Sequence, residues 1–74
     1  MDPTEIARLQ QYMSSKFGVD NLNIRERANK DDSAEVYFGD EFIGVIFRDA
    51  EDGDVSYDFN MAILEIDLPE QPAS

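Results

Sequence analysis

No cysteine and no histidine occur among the 74 residues, and six basic side chains stand against 17 acids. The first absence excludes disulfide staples and thiolate nucleophiles, which suits a reducing compartment and makes the cytoplasm the expected location. The second removes the imidazole that most often serves as general base and metal ligand. Carboxylates can do acid–base work alone, but this chain has many and nothing singles out two. We therefore expect no enzyme activity and no cofactor. The shortage of bases gives a formal net charge of −11. Such a chain is repelled by phosphate backbones and anionic lipid, so no direct nucleic-acid contact and no membrane contact are expected. Long hydrophobic runs are missing too. The longest lies within Phe42–Phe47, against the ~20 residues a membrane helix needs. No basic stretch leads into an apolar run near the start, so no signal peptide is expected. No glycine-rich segment precedes a helix, which excludes a phosphate-binding loop.

What the chain does have is patterned apolar residues. Hydrophobic residues make up 42%, with five Phe and three Tyr. This favours a folded domain, although a chain this short buries only ~60% of its unfolded surface. Charge is divided unevenly. Residues 1–30 hold five bases and four acids, whereas residues 31–74 hold Arg48 against thirteen acids. The acidic half reads either as a solvated face that keeps the protein soluble or as a surface that steers a basic partner.

Asp2-Pro3-Thr4-Glu5 is a helix start: Asp2 caps, Pro3 takes the first helical position, and Glu5 completes a capping box. Ile6, Leu9, Met13 and Phe17 recur at helical spacing, and Gly18 suits the C-terminal stop. A helix over Pro3–Phe17 follows, with that stripe as its core face. From Leu22 the period becomes two. Leu22–Ala28 reads as a first strand, residues 29–33 as a polar loop, and Ala34–Phe38 as a second strand. Gly39-Asp40 is a two-residue hairpin turn. Glu41–Arg48 is the third strand, residues 49–53 a longer turn, and Asp54–Leu68 the fourth strand. Residues 1–68 then form one α+β domain, a single N-terminal helix packed on a four-stranded antiparallel meander, and residues 69–74 a disordered tail.

The turn at Gly39-Asp40 pairs Val36 with Ile43, and a five-residue loop at 49–53 pairs Phe47 with Val55 and Val45 with Tyr57. One face then carries Val36, Ile43, Val45, Phe47, Tyr57 and Phe59, and a one-residue slip would replace the β4 set by Ser56, Asp58 and Asn60. The opposite face holds Arg48 and is mostly polar, except for Tyr37 and Phe42 as a cross-strand pair with Ile46 nearby. That trio reads as sheet stabilisation or as an interface anchor rimmed by acids. Gly44 is expected to let Tyr37 or Phe42 lie flat across the backbone. The fourth strand overhangs its partner by Ala62–Leu68, an apolar segment that needs a neighbour. Strand one, or the same segment of a second chain, could supply it. A helical reading of Met61–Ile66 ranks below the strand. Candidate interface residues are thus Tyr37, Phe42, Ile46, Leu64 and Ile66.

Asp49, Glu51, Asp52 and Asp54 around Gly53 invite a calcium reading. Counted back from Gly53, however, the first and third loop positions are Arg48 and Ala50, and the twelfth is Phe59. An EF-hand needs acids at all three. Ordinary turn chemistry accounts for the run, with weak divalent binding the most that it suggests.

The strings Asp32-Ser33-Ala34-Glu35-Val36-Tyr37, Gly39-Asp40-Glu41-Phe42-Ile43-Gly44-Val45, Asp52-Gly53-Asp54-Val55-Ser56-Tyr57 and Phe59-Asn60-Met61-Ala62-Ile63-Leu64 carry a resemblance. With Glu5-Ile6 and Leu9-Gln10, they resemble a family of short, uncharacterised alphaproteobacterial proteins classed as a domain of unknown function. The resemblance implies a bacterial cytoplasmic protein and supplies no activity, cofactor or catalytic residue. The chemical poverty of the chain, the aromatic patch and the overhang together predict an interaction or regulatory accessory module. Its partner is another protein or a second copy of itself. The alternative is an acidic decoy of nucleic acid that occupies basic protein surfaces.

Overall fold

The computed structural model describes residues 1–70; residues 71–74, part of the tail expected to be disordered, lie outside the described residues. Helix α1 spans Pro3–Phe17. At its start the Asp2 carboxylate accepts the Glu5 N–H at 2.8 Å, and the Glu5 carboxylate accepts the Asp2 N–H at 3.3 Å. Pro3 has no N–H, so this helix start leaves three N–H groups without a helical partner, and two of them are thereby satisfied. The helix stops at Gly18, in the left-handed conformation the sequence anticipates. Four strands follow: β1 (Leu22–Arg27), β2 (Lys30–Phe38), β3 (Glu41–Asp49) and β4 (Ser56–Asn60). They form an antiparallel meander in the order β1-β2-β3-β4. The architecture is the expected α+β arrangement.

Met13 of α1 reaches a core of Leu22, Ile24, Ala34, Val36 and Ile46, with Ile6, Leu9, Phe38, Ile43 and Phe59 half-buried around it. β1 is an edge strand, and α1 shields that edge. The Gln10 side chain accepts the Ile24 backbone N–H at 3.0 Å, satisfying a donor that an open edge would leave to water or to another chain. α1 accordingly packs mainly against β1, not centrally across the sheet.

The structure departs from the sequence expectations in four places. The stretch read as a loop at 29–33 is mostly strand: β2 begins at Lys30, and Ala28-Asn29 make the turn, with Asn29 at φ 63°. Asn tolerates the left-handed region better than other non-glycine residues, so a two-residue turn suffices.

The second departure is a bulge. Phe38 pairs with Glu41 and Tyr37 with Phe42, but Val36 then pairs with Gly44, and Ile43 is the extra residue. Beyond it the faces of β3 are exchanged relative to the expected register. Gly44 and Ile46 face the helix, and Ile46 is only 1% exposed, while Phe47 is turned outward and exposed. Ile46 therefore does not sit with Tyr37 and Phe42 on the outer face. A side chain so buried is no anchor on the outer face.

The third departure compensates for the second. The β3–β4 turn runs over residues 50–55, so Asp49 pairs with Ser56, Arg48 with Tyr57 and Ile46 with Phe59. The odd offset restores the expected face of β4: Phe59 points inward, opposite Ile46.

The fourth is the length of β4, which ends at Asn60 instead of Leu68. Residues 61–64 join no ladder, and Glu65–Asp67 form one 3-10 turn. Glu41–Gly44 of β3, beside the bulge, therefore pair with β2 or bulge but have no partner in β4.

Candidate interaction surface

The off-centre helix leaves part of the inner sheet face open. Between α1 and β3–β4 runs a cleft of about 550 Å³. Its floor is apolar: Met13, Ile46 and Phe59. Leu9 and Phe17 extend that surface up the helix, where the Phe17 and Phe59 rings lie 6.5 Å apart in a tilted contact. Tyr12 and Phe17 are largely exposed at the lip. Arg8 and Lys16 also line the cleft and are exposed. Among the described residues neither has an ion-pair partner; the pairs found are Arg25–Asp40 and Arg48–Glu5. In a chain with six bases and 17 acids, two unpaired bases beside one apolar groove form a local exception to the overall field.

One end of the cleft is closed by Glu5. Its Oε2 accepts the Tyr57 hydroxyl at 2.6 Å and the Arg48 Nε–H at 2.9 Å. Glu5 thus caps the helix with one oxygen and ties it to β3 and β4 with the other. The Tyr57 hydrogen bond, with help from the Arg48 charge, holds the Glu5 carboxyl below the ordinary 4.5, against the opposing effect of partial burial. The same bond raises the Tyr57 hydroxyl above 10.0. A carboxyl depressed in the folded state contributes stability that is complete above pH 4.5 and is lost as pH falls through the folded value. The cluster is half open to water, which limits its worth to about 1 kcal/mol at neutral pH. Glu5→Gln is expected to lower the thermal midpoint at neutral pH and to narrow that deficit as the acid limb is entered. Parallel midpoints for the two proteins down to about pH 3 would show that Glu5 is not the titrating group.

On the outer face, Tyr37 and Phe42 meet edge-to-face with centroids 5.6 Å apart. The Arg25 guanidinium covers the Tyr37 ring at 4.0 Å, and the Tyr37 hydroxyl donates to Glu35 at 2.8 Å. This hydrogen bond to the carboxylate raises the Tyr37 hydroxyl above its ordinary value. Tyr37 is therefore occupied by its neighbours in the sheet, although Phe42 remains 52% exposed. Phe47, which sequence reasoning placed inside, adds an exposed ring to the same strand.

Leu64 and Ile66 lie in the segment after β4. Met61, Ile63, Leu64, Ile66 and Leu68 are all exposed, Ile66 at 89%. The only turn here is internal: Asp67 N–H donates to the Leu64 carbonyl at 2.8 Å and Leu68 N–H to that of Glu65 at 3.0 Å. The segment is an arm projecting from the body. The radius of gyration of 14.6 Å and long axis of 50 Å reflect it, since a compact chain of this length has a radius of roughly 11 Å. β1, offered by the sequence as a neighbour for this segment, lies at the opposite edge of the sheet.

Asp49 accepts the Glu51 N–H at 3.0 Å and the Asp54 N–H donates to the Glu51 carbonyl, so the acidic loop is closed by its own turn bonds. Among the described residues no three acids converge as metal ligands, and no helix is long and apolar enough to cross a membrane. A nucleic-acid decoy would need carboxylates in a regular row, but Asp54 lies before β4, Asp58 within it, and Glu65 and Asp67 on the arm. Gly44 receives a ring, as anticipated, but the ring is Phe59 and not Tyr37 or Phe42.

The groove and all of the arm except Leu68 fall within one family match. A family model described as Protein of unknown function (DUF3126) matches residues 5–67, and the chain belongs to that family. The motif strings at 32–64 lie inside the match. No curated protein and no solved structure matches the chain.

Proposed function

We propose that this family member is a protein–protein interaction module, without enzyme activity, that works as a homodimer. The observation that carries the reading is the arm. Five large apolar side chains between Met61 and Leu68 are left in water by the folded chain. Leaving one such side chain exposed instead of buried forgoes about 1.5–3 kcal/mol, and contiguous exposed apolar surface of this kind marks association sites. The absence of histidine and cysteine supports a binding role over a catalytic one. The acidic-decoy reading finds less support, because its carboxylates are scattered over three elements.

Sedimentation equilibrium tests the reading. The wild-type chain is expected at twice its 8.4 kDa mass. Leu64→Lys, which places a charge where an apolar contact is needed, is expected at the monomer mass with an unchanged circular dichroism spectrum. Equal masses for the two proteins would remove the homodimer from the proposal.

A further inference from the structure

Resting on the homodimer reading, we infer that the arm of each chain, Met61–Leu68, docks in the α1/β3–β4 groove of a second copy, so that the two chains exchange arms reciprocally. Three features of the two surfaces match. The first is apolar character. The groove exposes Tyr12, Phe17 and Tyr57, and the arm exposes Ile63, Leu64 and Ile66. Neither surface is covered by the described residues of its own chain.

The second is charge. The arm carries Glu65 and Asp67 and no base, while the groove carries Arg8 and Lys16 without ion-pair partners among the described residues. In a chain of net charge −11, most of the surface repels an acidic segment. The flank of α1 beside the groove is where such a segment meets two bases on an apolar bed. Charge placed this way sets register and selects the partner.

The third is length. With Glu65–Asp67 in a 3-10 turn and the other residues extended, the arm spans roughly 22 Å, and the 15 residues of α1 about 22 Å. About 12 Å of helix separates Arg8 from Lys16, so two carboxylates two residues apart fall between them. The arm follows β4 directly, and Phe59 of β4 is itself part of the groove floor. To enter its own groove the arm would have to reverse at once, and residues 61–64 contain neither glycine nor proline to favour a tight reversal.

Reciprocal exchange has a signature that other dimers lack. A groove-reversed chain (Arg8→Glu with Lys16→Glu) has a negative groove and a negative arm. An arm-reversed chain (Glu65→Lys with Asp67→Lys) has a positive groove and a positive arm. Each alone is expected to be monomeric, or to self-associate at least tenfold more weakly than wild type. Mixed one to one, they are expected to form a heterodimer in which both docking sites are complementary. Sedimentation should be run at moderate salt, so that the overall repulsion is screened, with circular dichroism checking that each chain folds. Where a reversal disturbs the helix, Arg8→Gln with Lys16→Gln serves instead and is expected to weaken self-association less. Two variants that each dimerise as tightly as wild type would overturn groove docking and leave the homodimer standing. So would variants that stay monomeric when mixed. A monomeric wild-type chain would overturn both the exchange and the homodimer.

Discussion

Ile46→Ala is expected to remove about 3 kcal/mol of folding stability, within the range of about 2–5 kcal/mol for buried Ile and Leu truncations. Ile46 is 1% exposed, faces Ala34 and Phe59 across two ladders, and belongs to the same core as Met13. Alanine would leave a void against the groove floor that the neighbouring strands cannot collapse to fill. For a domain of this size the thermal midpoint should fall by about 15 °C. Phe42→Ala is the matched control. It removes an exposed ring from an edge-to-face pair and should cost about 1 kcal/mol. Chemical denaturation of both variants decides the matter. If Phe42→Ala proved the more damaging, the bulge at Ile43 would be misplaced and Ile46 would belong on the outer face.

Gly44→Ala is expected to cost about 3 kcal/mol, toward the upper end of what an added core methyl costs. A β-carbon at residue 44 would meet the Asn60 carbonyl oxygen and the Phe59 Cε1, the latter 2.6 Å away. A ring can turn aside, but the Asn60 carbonyl belongs to the backbone of β4 and accommodates a methyl only if the strand moves. β4 is short and lies at the sheet edge, so displacement is the relief we expect. Hydrogen exchange should then show protection lost over Ser56–Asn60 while β1 and β2 remain protected. A Gly44→Ala protein with the wild-type midpoint and intact β4 protection would contradict the close approach of Phe59.

Which elements were legible in the sequence follows from how many local signals agreed. Asp2, Pro3, Glu5 and Gly18 each specify a helix boundary through their own backbone or capping chemistry, and the boundaries of α1 are as read. Gly39-Asp40 likewise specifies its turn, with Gly39 at φ 60°. The alternation of β4, where Tyr57 and Phe59 interleave with Ser56, Asp58 and Asn60, is unambiguous because only one parity is apolar. β3 offers no such contrast. Phe42, Ile43, Val45, Ile46 and Phe47 are apolar on both faces, so its pattern is indifferent to a one-residue slip and nothing local announces the bulge. The candidate residues divided accordingly. Tyr37 and Phe42 precede the slip and form the expected pair, whereas Ile46 lies beyond it and is buried. Leu64 and Ile66 are exposed, but on an arm and not on the expected strand.

The groove was not legible at all. Its bases, Arg8 and Lys16, look like ordinary solvent-facing helix residues, and its floor draws on three elements far apart in the chain. Its existence depends on where α1 rests, held by Met13 in the core, by Gln10 accepting the Ile24 N–H on the β1 edge and by Glu5 bonded to Tyr57 and Arg48. Composition, capping and single-parity alternation by themselves determined a helix on a four-stranded acidic meander without histidine or cysteine, since those signals act within a few residues. The faces of β3, the open flank of α1 and the unpaired arm were decided only by tertiary structure. Each depends on which donors and apolar surfaces remain unsatisfied once distant strands have met.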